Sequence, residues 1–112
     1  MKRSAAALSV ALAGWAQVAS AQPAADTLDD TQRLGRRVFA QSCGICHLPP
    51  ALNARTYGPR LSKDTGSGND DVIRAVISEG TPRMPAFKHY LKPAEVDAII
   101  AYLKAVPAAE SR

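Results

Sequence analysis

The chain has 112 residues, enough for one domain, and a formal net charge of +4. Its fourteen lysines and arginines form no run of the kind that follows a phosphate backbone, which excludes nucleic acid as a partner. Only 5% of the side chains are aromatic and only two are cysteine, so a domain this small needs something beyond its own side chains to complete a core.

The first segment is not part of that domain. Lys2 and Arg3 form a short basic region, Ala5 to Val18 is apolar and uncharged, and Ala19-Ser20-Ala21 has the small-x-small pattern of a processing site. The alternative is an uncleaved membrane anchor, but a spanning helix needs about 20 apolar residues, and this run is shorter. Residues 1–21 therefore read as a cleaved signal peptide, with export to the periplasm and no stable membrane insertion afterwards. Lys2 and Arg3 leave with it, so the mature chain from Gln22 is less basic than the full sequence.

Residues 22–30, with Pro23, small residues and several aspartates, read as a flexible lead-in. Asp30 or Thr31 is suited to cap a helix running to about Ser42, with Leu34, Val38 and Phe39 on one stripe and Gly35 beside it. That helix delivers Cys43-Gly44-Ile45-Cys46-His47, a C-x-x-C-H sequence. Three chemistries use paired cysteines at this spacing. A thioredoxin-like redox pair needs a preceding strand and a βαβ setting, and neither is visible. A zinc site needs four ligands, while beyond the two thiols only His47 and His89 are on offer, far apart in the chain. Covalent haem attachment needs only these three residues in this order: Cys43 and Cys46 bond the porphyrin, and His47 reaches the iron as the proximal ligand. This reading also supplies the apolar bulk the small core lacks.

Leu48-Pro49-Pro50 cannot continue a regular helix. Residues 51–69 read as a loop along the haem, bent at Gly58-Pro59 and at Gly66-Ser67-Gly68-Asn69. Asn69 or Asp70 caps a second helix over about Asp71 to Glu79, with Val72, Ile73, Val76 and Ile77 on one face and Gly80 as a left-handed terminator. Met84 follows in a segment stiffened by Pro82 and Pro85. Pro93 opens a last helix that carries Val96, Ile99, Ile100 and Leu103 and ends before Pro107. No strand alternation appears, so the fold class is all-α: one domain over 31–107, three main helices and loops wrapped around one covalently bound haem, then a tail at 108–112.

Placed this way, residues 31 to 106 resemble the class I (mitochondrial-type) cytochrome c family in its small bacterial monohaem form. Gly35, Phe39 and Cys43 stand four apart, as that family's first helix requires, and Ile99-Ile100-Ala101-Tyr102-Leu103-Lys104 is similar to its last helix. The resemblance implies a cytochrome c fold in which the two helices cross at Gly35 with Tyr102 packed there. Gly58-Pro59-Arg60-Leu61 resembles the family's Gly-Pro-x-Leu, which implies that the Pro59 carbonyl accepts the Nδ1–H of His47 and that Leu61 packs on the porphyrin. Met84-Pro85-x-Phe87 resembles the distal segment, which implies Met84 as the sixth iron ligand, with His89 as its competitor. Three departures stand out. Lys92 replaces the usual Ser or Thr cap. The only tryptophan lies in the leader, which leaves Tyr57, Arg55 or Arg60 for the haem propionates. The stretch from His47 to Met84 is short, so one haem edge is expected to be more exposed.

The function this implies is an exported one-electron carrier with one His/Met-ligated haem c and its iron, and not an enzyme. Its expected partners are redox proteins docking at the exposed haem edge, with Arg55, Arg60, Lys63, Arg83, Lys88 and Lys92 as a candidate basic rim. It would serve either as a free shuttle, for example to a terminal oxidase, or as the cytochrome subunit or dedicated acceptor of a periplasmic dehydrogenase (quinoprotein, flavin or molybdenum enzyme). An iron left open by Met84, for gas sensing or peroxidase chemistry, is the reading of a different class.

Overall fold

The computed structural model describes residues 27–48 and 55–108. The leader, the first part of the lead-in, Pro49-Pro50, the start of the 51–69 loop and residues 109–112 lie outside them. The described helices are α1 (Asp30–Ser42), the single turn α2 (Gly44–His47), α3 (Asp70–Glu79) and α4 (Pro93–Ala105). Among the described residues there is no strand, only an isolated antiparallel bridge between Thr81 and Met84. None of these helices is long and apolar enough to cross a membrane.

The helix starts show which capping chemistry prevails. The cap of α1 is Asp29, not Asp30 or Thr31: its carboxylate accepts the Gln32 N–H at 2.8 Å, and the Gln32 side-chain oxygen accepts the Asp29 N–H at 3.0 Å. Only Asp29 has a glutamine three residues on to return the bond; for Asp30 and Thr31 that place is held by Arg33 and Leu34. Asp30 instead pairs with Arg33 at 2.9 Å. Helix α1 and its cap thus begin inside residues 22–30. At α3, the Asn69 side chain accepts the N–H groups of Asp71 and Val72, so the helix starts at Asp70. At α4, Lys92 has no acceptor to offer, but Glu95 accepts the Lys92 N–H at 2.8 Å, so half of a capping box remains.

Helices α1 and α4 form the main packed pair. A Cβ at Gly35 would lie 1.9 Å from the Ala98 carbonyl oxygen and 2.9 Å from Tyr102 Cβ, so backbone meets backbone at the crossing and only glycine fits. One turn on, the Phe39 and Tyr102 rings are 5.7 Å apart between centroids and tilted by 53°. Val38, Phe39, Ile73, Ile77, Val96, Ile99, Ile100 and Leu103 make the core. Ile99 and Leu103 are 1% and 2% exposed, and burying each contributes about 2 kcal/mol. The core is open on one side: α1, α3, α4 and the two loops between α2 and α4 wall a cavity of about 340 Å³.

Candidate functional site

Cys43 ends α1, and the turn of α2 follows directly, with the Cys46 and His47 N–H groups bonded to the Cys43 carbonyl at 3.1 and 3.0 Å. Residues three and four apart on a helical turn share a face, so both thiols and the imidazole line the one cavity. Neither cysteine is in a disulfide. Burial, with a smaller contribution from Cys46, pushes the Cys43 thiol up to about 11.

The imidazole is oriented from outside α2. His47 Nδ1 donates to the Pro59 carbonyl at 2.7 Å, which leaves Nε2 as the ring atom with a free lone pair. Gly58 makes this possible. Its N–H bonds the Cys46 carbonyl at 2.7 Å, and a Cβ there would come within 2.7 Å of His47 Cε1.

Met84 is placed by different means. Thr81 N–H donates to the Met84 carbonyl at 2.8 Å, Met84 N–H returns to the Thr81 carbonyl at 3.1 Å, and the Thr81 hydroxyl also accepts Met84 N–H at 3.1 Å. Gly80 lets this tight bridge sit against the end of α3. Its backbone is at φ 72°, ψ −171°, a positive-φ but extended region rather than the left-handed helical one expected, and one that is essentially glycine's alone. A Cβ at Gly80 would fall 2.5 Å from the Met84 carbonyl oxygen and 2.7 Å from the Ala86 nitrogen. The segment then ties back to α3, with Phe87 N–H donating to the Ile77 carbonyl at 2.9 Å, one of the carbonyls a helix end leaves unpaired.

Cys43, Cys46, His47, Pro59, Leu61 and Met84 all line the one cavity. Its walls are otherwise mostly apolar, and Val72 and Val76 of α3 line it while 47% and 37% exposed, an apolar face turned toward a space and not toward other side chains. Of the candidate propionate partners, Tyr57 lines this cavity, Arg60 lines a smaller adjoining one of about 210 Å³, and Arg55 lines neither. His89 is exposed and does not line the cavity. In the candidate rim, Lys88 is paired with Glu79 at 2.7 Å. The Arg83 guanidinium lies 5.1 Å from the centre of the Tyr57 ring. Sequence reasoning missed that last contact, the hydroxyl of Thr81 and the close approach at Gly80; the tight spacing of Gly80, Thr81 and the two prolines around Met84 was the available signal for the latter two.

Among the described residues no three His, Cys, Asp or Glu side chains gather to hold a bare metal ion, which leaves no zinc site there. Two thiols beside an imidazole with a free Nε2, a thioether and apolar walls instead fit a macrocycle bonded through sulfur, whose iron a nitrogen and a sulfur donor would hold.

Comparisons with known proteins point to the same class of cofactor. Residues 30–103 match the family model described as cytochrome C oxidase, cbb3-type, subunit III. The chain is similar to cytochrome c6 of Anabaena variabilis, 29% identical over 72 residues that make up 62% of this chain and 84% of that protein. Among solved structures it is similar to cytochrome c6 from the diatom Phaeodactylum tricornutum, with a TM-score of 0.53 at 26% identity over 66% of this chain and 91% of that one. It is also similar to the c-type cytochrome SorU from Sinorhizobium meliloti, with a TM-score of 0.52 at 28% identity over 69% of this chain and 91% of that one.

Proposed function

Because the chain belongs to the cytochrome c family, as a small class I monohaem c-type cytochrome, we propose that Cys43 and Cys46 hold its haem and that His47 and Met84 fill both axial positions of the iron. The family binds one covalently attached haem c, and the chain is an electron carrier. The observation that carries the ligand assignment is that one cavity is lined by both thiols, the His47 ring and Met84 together. When bound, the haem supplies a one-electron Fe(III)/Fe(II) couple.

The side chains tune and protect that couple. The Pro59 carbonyl, by taking the Nδ1–H, fixes the His47 tautomer and makes Nε2 a stronger donor. Met84 gives a neutral thioether, which favours Fe(II) and raises the potential relative to a second histidine. Phe39, Ile73, Ile77, Ile99 and Leu103 line the cavity with apolar surface. With both axial positions taken by the chain there is no open site for a substrate, and no side chain acts as acid, base or nucleophile. The protein is on this reading a carrier and not an enzyme.

A spectrum of the exported protein, reduced minus oxidised, tests the assignment, with the haem retained through denaturation as evidence of the two covalent bonds. Met84→Ala is expected to keep the haem, lose the far-red absorption band of sulfur-ligated ferric haem and lower the potential. A Met84→Ala protein with an unchanged spectrum would assign the sixth position to His89 or another group. Ready carbon monoxide binding by the unaltered reduced protein would favour the open-iron reading.

For compartment and partners we propose a free periplasmic shuttle released by cleavage after Ala21, docking redox partners at the haem edge near Cys43 and Cys46. N-terminal sequencing of the exported protein checks the cleavage. Isolation as a lone monomer whose reduction slows with salt supports the shuttle, while a catalytic subunit that co-purifies with it would make it a dehydrogenase's cytochrome subunit.

A further inference from the structure

Two loops approach the cavity mouth from different parts of the chain. Residues 55–61 press Gly58 on the His47 ring and offer it the Pro59 carbonyl, while residues 81–87 carry Met84. What spans them is the cation–π contact of the Arg83 guanidinium over the Tyr57 ring, 5.1 Å from guanidinium carbon to ring centre. Both residues line the cavity, and both are exposed, Tyr57 by 61%.

We propose that Arg83 and Tyr57 form a clasp that holds the Met84 loop closed over the cavity, so that the strength of their contact sets how often the iron's distal position opens. This rests on the reading of Met84 as the axial ligand. The two ends of the clasp differ in a useful way. Tyr57 stands next to Gly58, which is anchored by its bond to the Cys46 carbonyl, so the ring belongs to the fixed side. Arg83 stands next to Met84, between Pro82 and Pro85. Prolines restrict the backbone on both sides, so a tether at Arg83 is passed to Met84 and not absorbed by the loop. Both residues are exposed, so the cation–π contact forms with little desolvation.

The test is competition at the iron of the ferric holoprotein, with imidazole as the incoming ligand. Arg83→Gln and Tyr57→Leu are each expected to raise imidazole affinity about two- to fivefold, the size of an exposed cation–π contact. The double variant is expected to show no more than the larger single effect, since both remove the same contact. Tyr57→Phe, which keeps the ring, is expected to restore native affinity. The unfolding equilibrium should shift by no more than the same two- to fivefold across the series, because a general loss of packing would move it further. Unchanged affinity in both single variants overturns the clasp, as does an additive double variant or a Tyr57→Phe protein that behaves like Tyr57→Leu. If the unaltered protein lacks the far-red sulfur–iron band, the Met84 reading fails and the clasp falls with it; if the band is present and the affinities do not move, the clasp alone fails.

Discussion

The two sides of the cavity solve the same problem with different chemistry. On the His47 side, position comes from the helical turn after Cys43, and orientation comes from one side-chain hydrogen bond to the Pro59 carbonyl. An imidazole has a second nitrogen to hold it by. A thioether has no donor and is only a weak acceptor, so the Met84 side is built from main chain: the paired bonds between Thr81 and Met84, the close approach at Gly80 and the return of Phe87 to α3. A ligand with a polar handle is held by its handle, and one without is held by its backbone. The cost of disturbing each side should therefore be read in different observables.

Gly80→Ala is the heaviest blow to this contrast. It sets a Cβ at φ 72° and within 2.5 Å of the Met84 carbonyl oxygen, and should destabilise the holoprotein by about 2 to 3 kcal/mol in chemical unfolding. The far-red band should weaken with it. Gly58→Ala acts on the other side, where the Cβ would press first on the His47 ring and not on backbone, and should cost about 1.5 kcal/mol as the bond to Pro59 lengthens. Its signature should be faster solvent exchange of the His47 ring N–H and a shifted reduction potential, with the far-red band kept. Thr81→Val removes only a hydroxyl acceptor at an exposed loop whose main-chain bridge survives, and should move stability by about 0.5 kcal/mol. A Gly58→Ala protein that lost the band while Gly80→Ala kept it would reverse the division drawn between the two sides.

How much of this was legible in the chain follows the same division. The C-x-x-C-H sequence and the glycine at the helix crossing are local signals, because the chemistry or the packing admits few other residues there, and Gly35 does meet α4 backbone to backbone. The loops were harder. That Asp29 and not Asp30 caps α1 depends on which carboxylate has a glutamine three residues on, a detail present in the sequence. Local sequence predicts Gly80 as an ordinary helix terminator, because it does not show that residues 84–86 fold back onto it. The meeting of Arg83 with Tyr57 lay beyond any local pattern, since both are exposed residues of ordinary composition brought together by two separate loops. Adjacency along the chain is written in the chain; adjacency across a cavity mouth is a product of everything that closes around it.

The crossing at Gly35 also acts as a lever. With an Ala98 oxygen where its Cβ would be, the two helices can accommodate any other residue there only by moving apart. One turn along α1 sits Phe39, whose ring packs tilted against that of Tyr102 and also lines the cavity. A single methyl group added at the crossing would thus be transmitted as a displacement of the cavity wall, so the spectrum and potential of the cofactor serve as a distant gauge of how closely two helices meet.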